Sequence, residues 1–147
     1  MINWTTSDVG IHPARPKESL EENPDPIGRV NWMEHLPNSS ATNKAWREFI
    51  GGFIAERHLG YTDTDETAYW MNGFPKGYAL YRHHKTMPEG KPDRDDVYLF
   101  GSDVGRFRSP GEFLLHALWL MEGGCRHQCK CKNCTVPPER RRRSGAA

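Results

Sequence analysis

Four cysteines, Cys125, Cys129, Cys131 and Cys134, fall within ten residues, close behind the almost wholly apolar run FLLHALWLM. This pairing constrains the fold more than any other feature of the chain. C-x2-C makes a tight turn that aims two thiolates at one ion, and C-x-C can join them from alternating or looped backbone. No apolar run is long enough to span a bilayer, and the N-terminus lacks a basic start followed by an apolar region. The chain therefore reads as intracellular, where clustered cysteines favour metal over disulfides. The alternative is a set of reduced or redox-labile thiols.

The apolar run is the best-marked element. Ser109-Pro110-Gly111-Glu112 fits the first positions of a helix. Ser caps the third amide, Pro is pre-set for the first helical position, and Glu112 reaches back as a capping box. The helix runs to Met121 or Glu122, where Gly123-Gly124 stops it. It is apolar nearly all round, so it is buried on more than one side.

A second helix spans residues 44–58, with Trp46, Phe49, Ile50, Phe53 and Ile54 on one face. Thr42 or Asn43 caps its start, and Gly60 ends it. Gly51 and Gly52 weaken it but let another element approach closely. Between the helices, residues 78–84 and 97–100 read as strands, separated by a turn at Met87-Pro88-Glu89-Gly90. Residues 106–108 add a short third strand. His83 and His84 read as an exposed pair, and Asp93 to Asp96 as a solvated loop with one structural carboxylate. Residues 61–66 are loop-like.

Residues 1–43 show no periodicity. Trp4, Ile27, Val30, Trp32 and Met33 stand as isolated apolar anchors, which suggests an extended arm pinned onto a core; a partly disordered leader is the alternative. The chain then divides into an arm (1–43), a helix and connection (44–73), a sheet, helix and cysteine unit (74–136), and a basic tail (137–147). There is no internal repeat. The Ser-Gly-Ala-Ala ending behind a basic linker reads as the end of a fragment.

A net charge of +1 hides an asymmetry. From Cys125 onward there are seven Lys/Arg and one acid, while the rest holds 13 bases and 18 acids. A basic tail on an acidic body suggests a local electrostatic contact or an address signal, with Arg140 to Arg143 as its densest part.

Gly77-Tyr78 before a strand, then Asp96-Val97-Tyr98-Leu99, a glycine turn, and Phe107-Arg108-Ser109 leading into a helix: this order resembles a methyl-CpG-binding domain. With the preceding helix, the LLHALWL run and the cysteines, the chain is more similar to the N-terminal region of fungal transcription-silencing proteins of the cryptic loci regulator type. That resemblance implies an α+β fold, a small antiparallel sheet packed on a helix, with an added N-terminal helix and a C-terminal zinc knuckle. It also implies a nuclear, non-catalytic chromatin module in a heterochromatin complex that contains a histone deacetylase and a remodelling ATPase.

The resemblance carries residue roles as well. Arg108 stands where the methyl-CpG readers place a guanine-binding arginine, whose fork fits guanine O6 and N7. Asp96 stands at the carboxylate that steadies an arginine, and Tyr98 at the tyrosine that orders water over the methyl groups. A plain salt bridge between Arg108 and Asp96 is the structural alternative. Lys85 or Thr86 aligns with the second arginine finger, and lysine cannot reproduce that fork. Arg82 and Arg106 could add to a DNA-facing side. The segment 74–121 holds seven bases against six acids, so DNA affinity depends on their segregation. For zinc, the core ligands are Cys129, Cys131 and Cys134, and the fourth is His116 or Cys125, with His127 less favoured.

The functional expectation is duplex DNA binding within a silencing complex. The alternative is a protein-interaction scaffold that has lost DNA contact. No nucleophile elbow, P-loop or paired-carboxylate motif points to an enzyme or a small-molecule substrate.

Overall fold

The computed structural model describes residues 1–61, 69–124 and 129–135. Three strands, β1 (Asn31–His35), β2 (Ala79–Lys85) and β3 (Arg94–Phe100), form an antiparallel sheet in the order β1-β2-β3. Helix α1 (Ala41–Arg57) lies in sequence between β1 and β2. Helix α2 (Pro110–Met121) follows β3, and the short α3 (Lys132–Thr135) closes the described chain. The fold is thus α+β, with a small antiparallel sheet and helices, as expected.

The third strand is not the expected one. Residues 106–108 contribute a single bridge, in which Leu99 and Phe107 exchange both backbone hydrogen bonds at 2.9 and 3.0 Å. The true third strand is β1, inside the segment expected to be an arm. Its sequence, Asn-Trp-Met-Glu-His, buries only Met33 fully, so it shows little alternation of its own. Pairing with β2 makes it a strand: Met33 lies opposite His83, and the Trp32 ring stacks on His84 at 4.6 Å.

The side-chain period of two splits the sheet into two faces. Leu80 and Leu99 join Trp46, Ile50 and Ile54 of α1 and Phe113, Ala117 and Leu120 of α2 in the main core. Met33, Tyr81, Tyr98 and Phe100 form a second cluster on the far face. The two histidines separate in the same way. His83 is buried on the far face, while His84 lies half-buried between Glu34 (2.9 Å) and Asp95 (3.2 Å). They are not an exposed pair, because β1 covers the edge they would have shared.

Helix α1 begins three residues before the expected start. Its cap is Ser40, whose Oγ accepts the Asn43 N–H at 3.0 Å. Asn43 is instead turned inward, with Oδ1 accepting from buried Arg47 at 2.7 Å and Nδ2 donating to Leu36 O at 2.9 Å. Arg47 also donates to the carbonyls of Met71 and Asn38, so its guanidinium is satisfied by neutral oxygens. Gly51 is where another element approaches: a Cβ there would fall 2.8 Å from the Met71 amide nitrogen and 2.7 Å from the Trp70 carbonyl carbon. Gly52 faces open space. On the expected apolar face, Phe49 is exposed and the other four are buried or partly so.

Helix α2 follows its sequence signals closely. The Ser109 Oγ accepts the Glu112 N–H at 3.1 Å, and Gly123 and Gly124 take positive φ at its end. Glu112 does reach back, but to the Arg108 N–H at 2.8 Å rather than to the cap residue. Leu115 is exposed and the rest of the run is at least partly buried.

The first nine residues are pinned to the core. Ile2 bridges Met71, Trp4 Nε1 donates to Gly73 O at 2.8 Å, and Thr6 Oγ1 donates to Leu120 O at 2.6 Å. Leu120 O, in the last turn of α2, also accepts the Gly123 N–H at 3.2 Å, so Thr6 adds a second donor to it. Ile27, by contrast, is 73% exposed and anchors nothing. Among the described residues no helix is long and apolar enough to cross a membrane.

Candidate metal centre and basic groove

His116 stands on α2 with its side chain fully buried, and it meets Cys129 and Cys131 just before α3 and Cys134 on α3. The His116 Nδ1 lies 3.3 Å from Cys129 Sγ, 3.4 Å from Cys131 Sγ and 3.5 Å from Cys134 Sγ. All four ligand atoms lie within 4.8 Å of one another, close enough to bind one metal ion. A tetrahedral zinc with ordinary bond lengths would hold N and S about 3.6 Å apart, so the spacing fits that geometry. The Cys134 N–H also points at Cys131 Sγ, at 3.4 Å, as the turn of a C-x2-C pair allows. Among the described residues, the ligand atom brought to the three cysteines is that of His116. Cys125 and His127 lie outside the described residues, as do residues 136–147 with Arg140 to Arg143.

Behind the histidine stands a residue that the sequence did not single out. His116 Nε2 lies 3.0 Å from Asp8 Oδ2. The same carboxylate accepts from Tyr78 Oη at 2.6 Å and from Ser102 Oγ at 2.6 Å. An acceptor-only partner on Nε2 places the proton there and leaves the Nδ1 lone pair facing the thiols, the tautomer a metal ligand needs. Burial raises the Asp8 pKa, but the hydrogen bonds from His116, Ser102 and Tyr78 outweigh it and hold it at about 2. No local motif marks Asp8, which stands 108 positions before its partner.

The three thiols are unequal. Hydrogen bonding from Cys129 leads the causes that bring Cys131 down to about 4, with His116 also lowering it against burial. Cys129 is pushed up, first by that same shared hydrogen, and burial lifts Cys134 to about 11. His116 is raised, since its bonds to Asp8 and Cys131 outweigh burial. Protein groups alone favour one thiolate. A bound cation would supply the charge that ionises the other two.

The basic residues fall in two places. Lys85, Arg106 and Arg108 border one groove of about 540 Å³, together with Arg15 and Lys17 from the arm and Lys132 from α3. Arg82 is on the other face, donating to Thr42 Oγ1 of α1 at 2.8 Å, because the alternation of β2 sends residues 82 and 84 to the helix side. Arg108 is exposed and makes no salt bridge with Asp96; that carboxylate meets Arg94 at 3.1 Å and Lys85 at 3.9 Å. Tyr98 is buried beneath the Arg106 guanidinium, 4.2 Å from its ring centre.

The sheet and its helices have a counterpart among known proteins. Residues 69–134 match the family described as transcription-silencing protein, cryptic loci regulator Clr2. The chain is 34% identical over 71 residues to Cryptic loci regulator 2 of Schizosaccharomyces pombe, covering 48% of this chain and 13% of that protein. It also resembles a solved structure of Clr2 bound to the Clr1 C-terminus, with a TM-score of 0.63 and 22% identity over 97% of this chain and 32% of that one. The latter likeness shows the fold, and the chain spans about a third of that relative. The resemblance read from the sequence to the cryptic loci regulator type is therefore borne out. The matched segment contains His116, Cys129, Cys131 and Cys134, while Asp8 lies outside it.

Proposed function

We propose that this chain is a zinc-stapled, non-catalytic docking module of a nuclear transcriptional silencing assembly. The observation that carries this reading is the closed set of His116 and three cysteines inside the very segment that matches the silencing family. A catalytic zinc keeps one position open, whereas four protein ligands fill the tetrahedron and leave a structural role. An ion held by His116, Cys129, Cys131 and Cys134 would tie α2 to α3, and Asp8 on His116 Nε2 joins that unit to the arm. A solved relative is bound to the Clr1 C-terminus. A partner chain of that kind, within a complex that carries a histone deacetylase or a remodelling ATPase, is the ligand assigned to this chain. The test is calorimetric titration of the zinc-loaded chain with a Clr1-type C-terminal segment. Binding that is lost after chelation supports the reading, and no binding at micromolar concentrations sinks it.

One observation favours a second reading, duplex DNA. Arg108 is exposed, unpaired with Asp96, and beside Arg106 at the groove rim. Anisotropy of a short duplex across a salt series, with and without CpG methylation, tests it. Binding that weakens with salt and drops in Arg108→Ala supports DNA contact. Absence of binding at low salt leaves protein docking alone.

A further inference from the structure

The groove beside the metal centre has two properties that single out one kind of ligand. The first is charge. Six cationic side chains line it against three acids, Glu18, Asp103 and Glu112. Glu112 is occupied by the Arg108 N–H and by Lys132, at 2.8 and 3.5 Å. Arg106 is held by the ring of Tyr98 rather than by a carboxylate, and Lys17 and Arg108 make no ion pair among the described residues. These three cations converge from the arm and from the loop that follows β3.

The second property is an orphan acceptor in the groove lining. His83 is only 3% exposed, and its Nε2 meets Asn31 Oδ1 on β1. That oxygen accepts, so the proton sits on Nε2 and Nδ1 presents a lone pair. Nδ1 has no hydrogen-bond partner. A buried polar atom left unpaired is rare and destabilising. Burial lowers the His83 pKa, with Lys85 and Arg106 acting in the same sense, so the ring stays a neutral acceptor.

A matching ligand must therefore offer anions and, among them, an N–H donor. The phosphate backbone of a duplex offers acceptors only, and the duplex's N–H donors are base edges set back in the grooves. A polypeptide rich in Asp and Glu offers both: carboxylates on its side chains and an amide at each residue. We propose that this groove binds an acidic peptide segment of a partner protein, with carboxylates on Lys17, Arg106 and Arg108 and a backbone amide donating to His83 Nδ1. The proposal deepens the docking reading above, on which it rests.

The experiment uses the full zinc-loaded chain and a short fluorescein-labelled peptide rich in Glu and Asp. Its Gln and Asn counterpart and an unlabelled duplex serve as competitors. The acidic peptide should bind with an affinity that falls as salt rises, and its amide counterpart should bind about tenfold more weakly or worse. Lys17→Glu combined with Arg108→Glu, both at sites without ion pairs, should weaken the acidic peptide by at least about tenfold at unchanged melting temperature. In the wild-type chain, the 15N resonance of His83 Nδ1 should shift on peptide addition in the sense of an acceptor gaining a donor. No binding at low salt, equal binding of the double variant, or an unmoved His83 resonance overturns the proposal. Preferential binding of the duplex, abolished by the same variants, reassigns the groove to nucleic acid. If the acidic peptide fails while a Clr1-type segment still binds, the groove assignment falls and the docking reading stands.

Discussion

His116 Nε2 and Asp8 Oδ2 meet at 3.0 Å across 108 positions of sequence, joining the N-terminal arm to the back of the metal centre. Three donors converge on that one carboxylate, and it is mostly buried. An amide in its place could accept some of these bonds, but its NH2 would face a donor. Asp8→Asn should therefore lower metal affinity about 10- to 100-fold. Competition against a chromophoric chelator reads this directly. Amide exchange over residues 1–9 should quicken at the same time, since the arm loses the same anchor. Unchanged affinity would mean that Asp8 holds only the arm.

Removing the metal should loosen α3 from α2. Trp119 is buried, and its ring lies 4.9 Å from that of His116. Chelation should lower the melting temperature by roughly 10 °C or more, because a ligand of the native state alone stabilises by mass action. Tryptophan emission should shift to the red, and Trp119→Phe should remove most of that shift. A melting temperature insensitive to chelator would rule out a structural ion.

Two adjacent glycines in α1 should respond oppositely to the same substitution. Gly51→Ala drives a methyl group into the backbone of Trp70 and Met71, which cannot retreat as a side-chain tip could. It should destabilise by about 1–3 kcal/mol. Gly52→Ala meets open space and gains helix propensity, so it should stabilise by up to about 1 kcal/mol. Urea midpoints of the two variants provide the comparison, and equal effects would contradict the close approach at Gly51.

His83 should contribute to acid lability. Its pKa is lowered in the folded chain by burial and then by Lys85 and Arg106, against Glu18 and Asp96. The unfolded chain therefore binds the proton first as pH falls. The stability tied to neutral His83 is complete above the unfolded value near 6.5 and is lost progressively below it. Urea midpoints at pH 8, 6.5 and 5 should fall across this window, and His83→Asn should flatten the slope. An identical slope in the variant would place the sensitivity elsewhere.

Much of the site was legible because its signals are local. The Ser109 cap, Pro110 and the terminal glycines each act within one helical turn, so α2 appeared where the sequence put it. The three cysteines are aimed by a turn only a few residues long, and β2 and β3 are neighbours joined by a short connection. The strand β1 was not legible, because Asn31–His35 becomes extended only against β2, some 50 residues later. Nor was the separation of His83 from His84, which follows from the pleat and from β1 closing over the edge.

The amino-acid sequence thus determined by itself the elements whose stabilising contacts lie within a few residues: the capped apolar helix, the hairpin strands and the thiol cluster. The tertiary structure brought His116 Nδ1 to the three thiols, put Asp8 behind it, and sorted the arginines between two faces. Those outcomes depend on hydrogen bonds and burial between residues tens of positions apart. Only the closed chain brings such groups together, and no local pattern encodes their meeting.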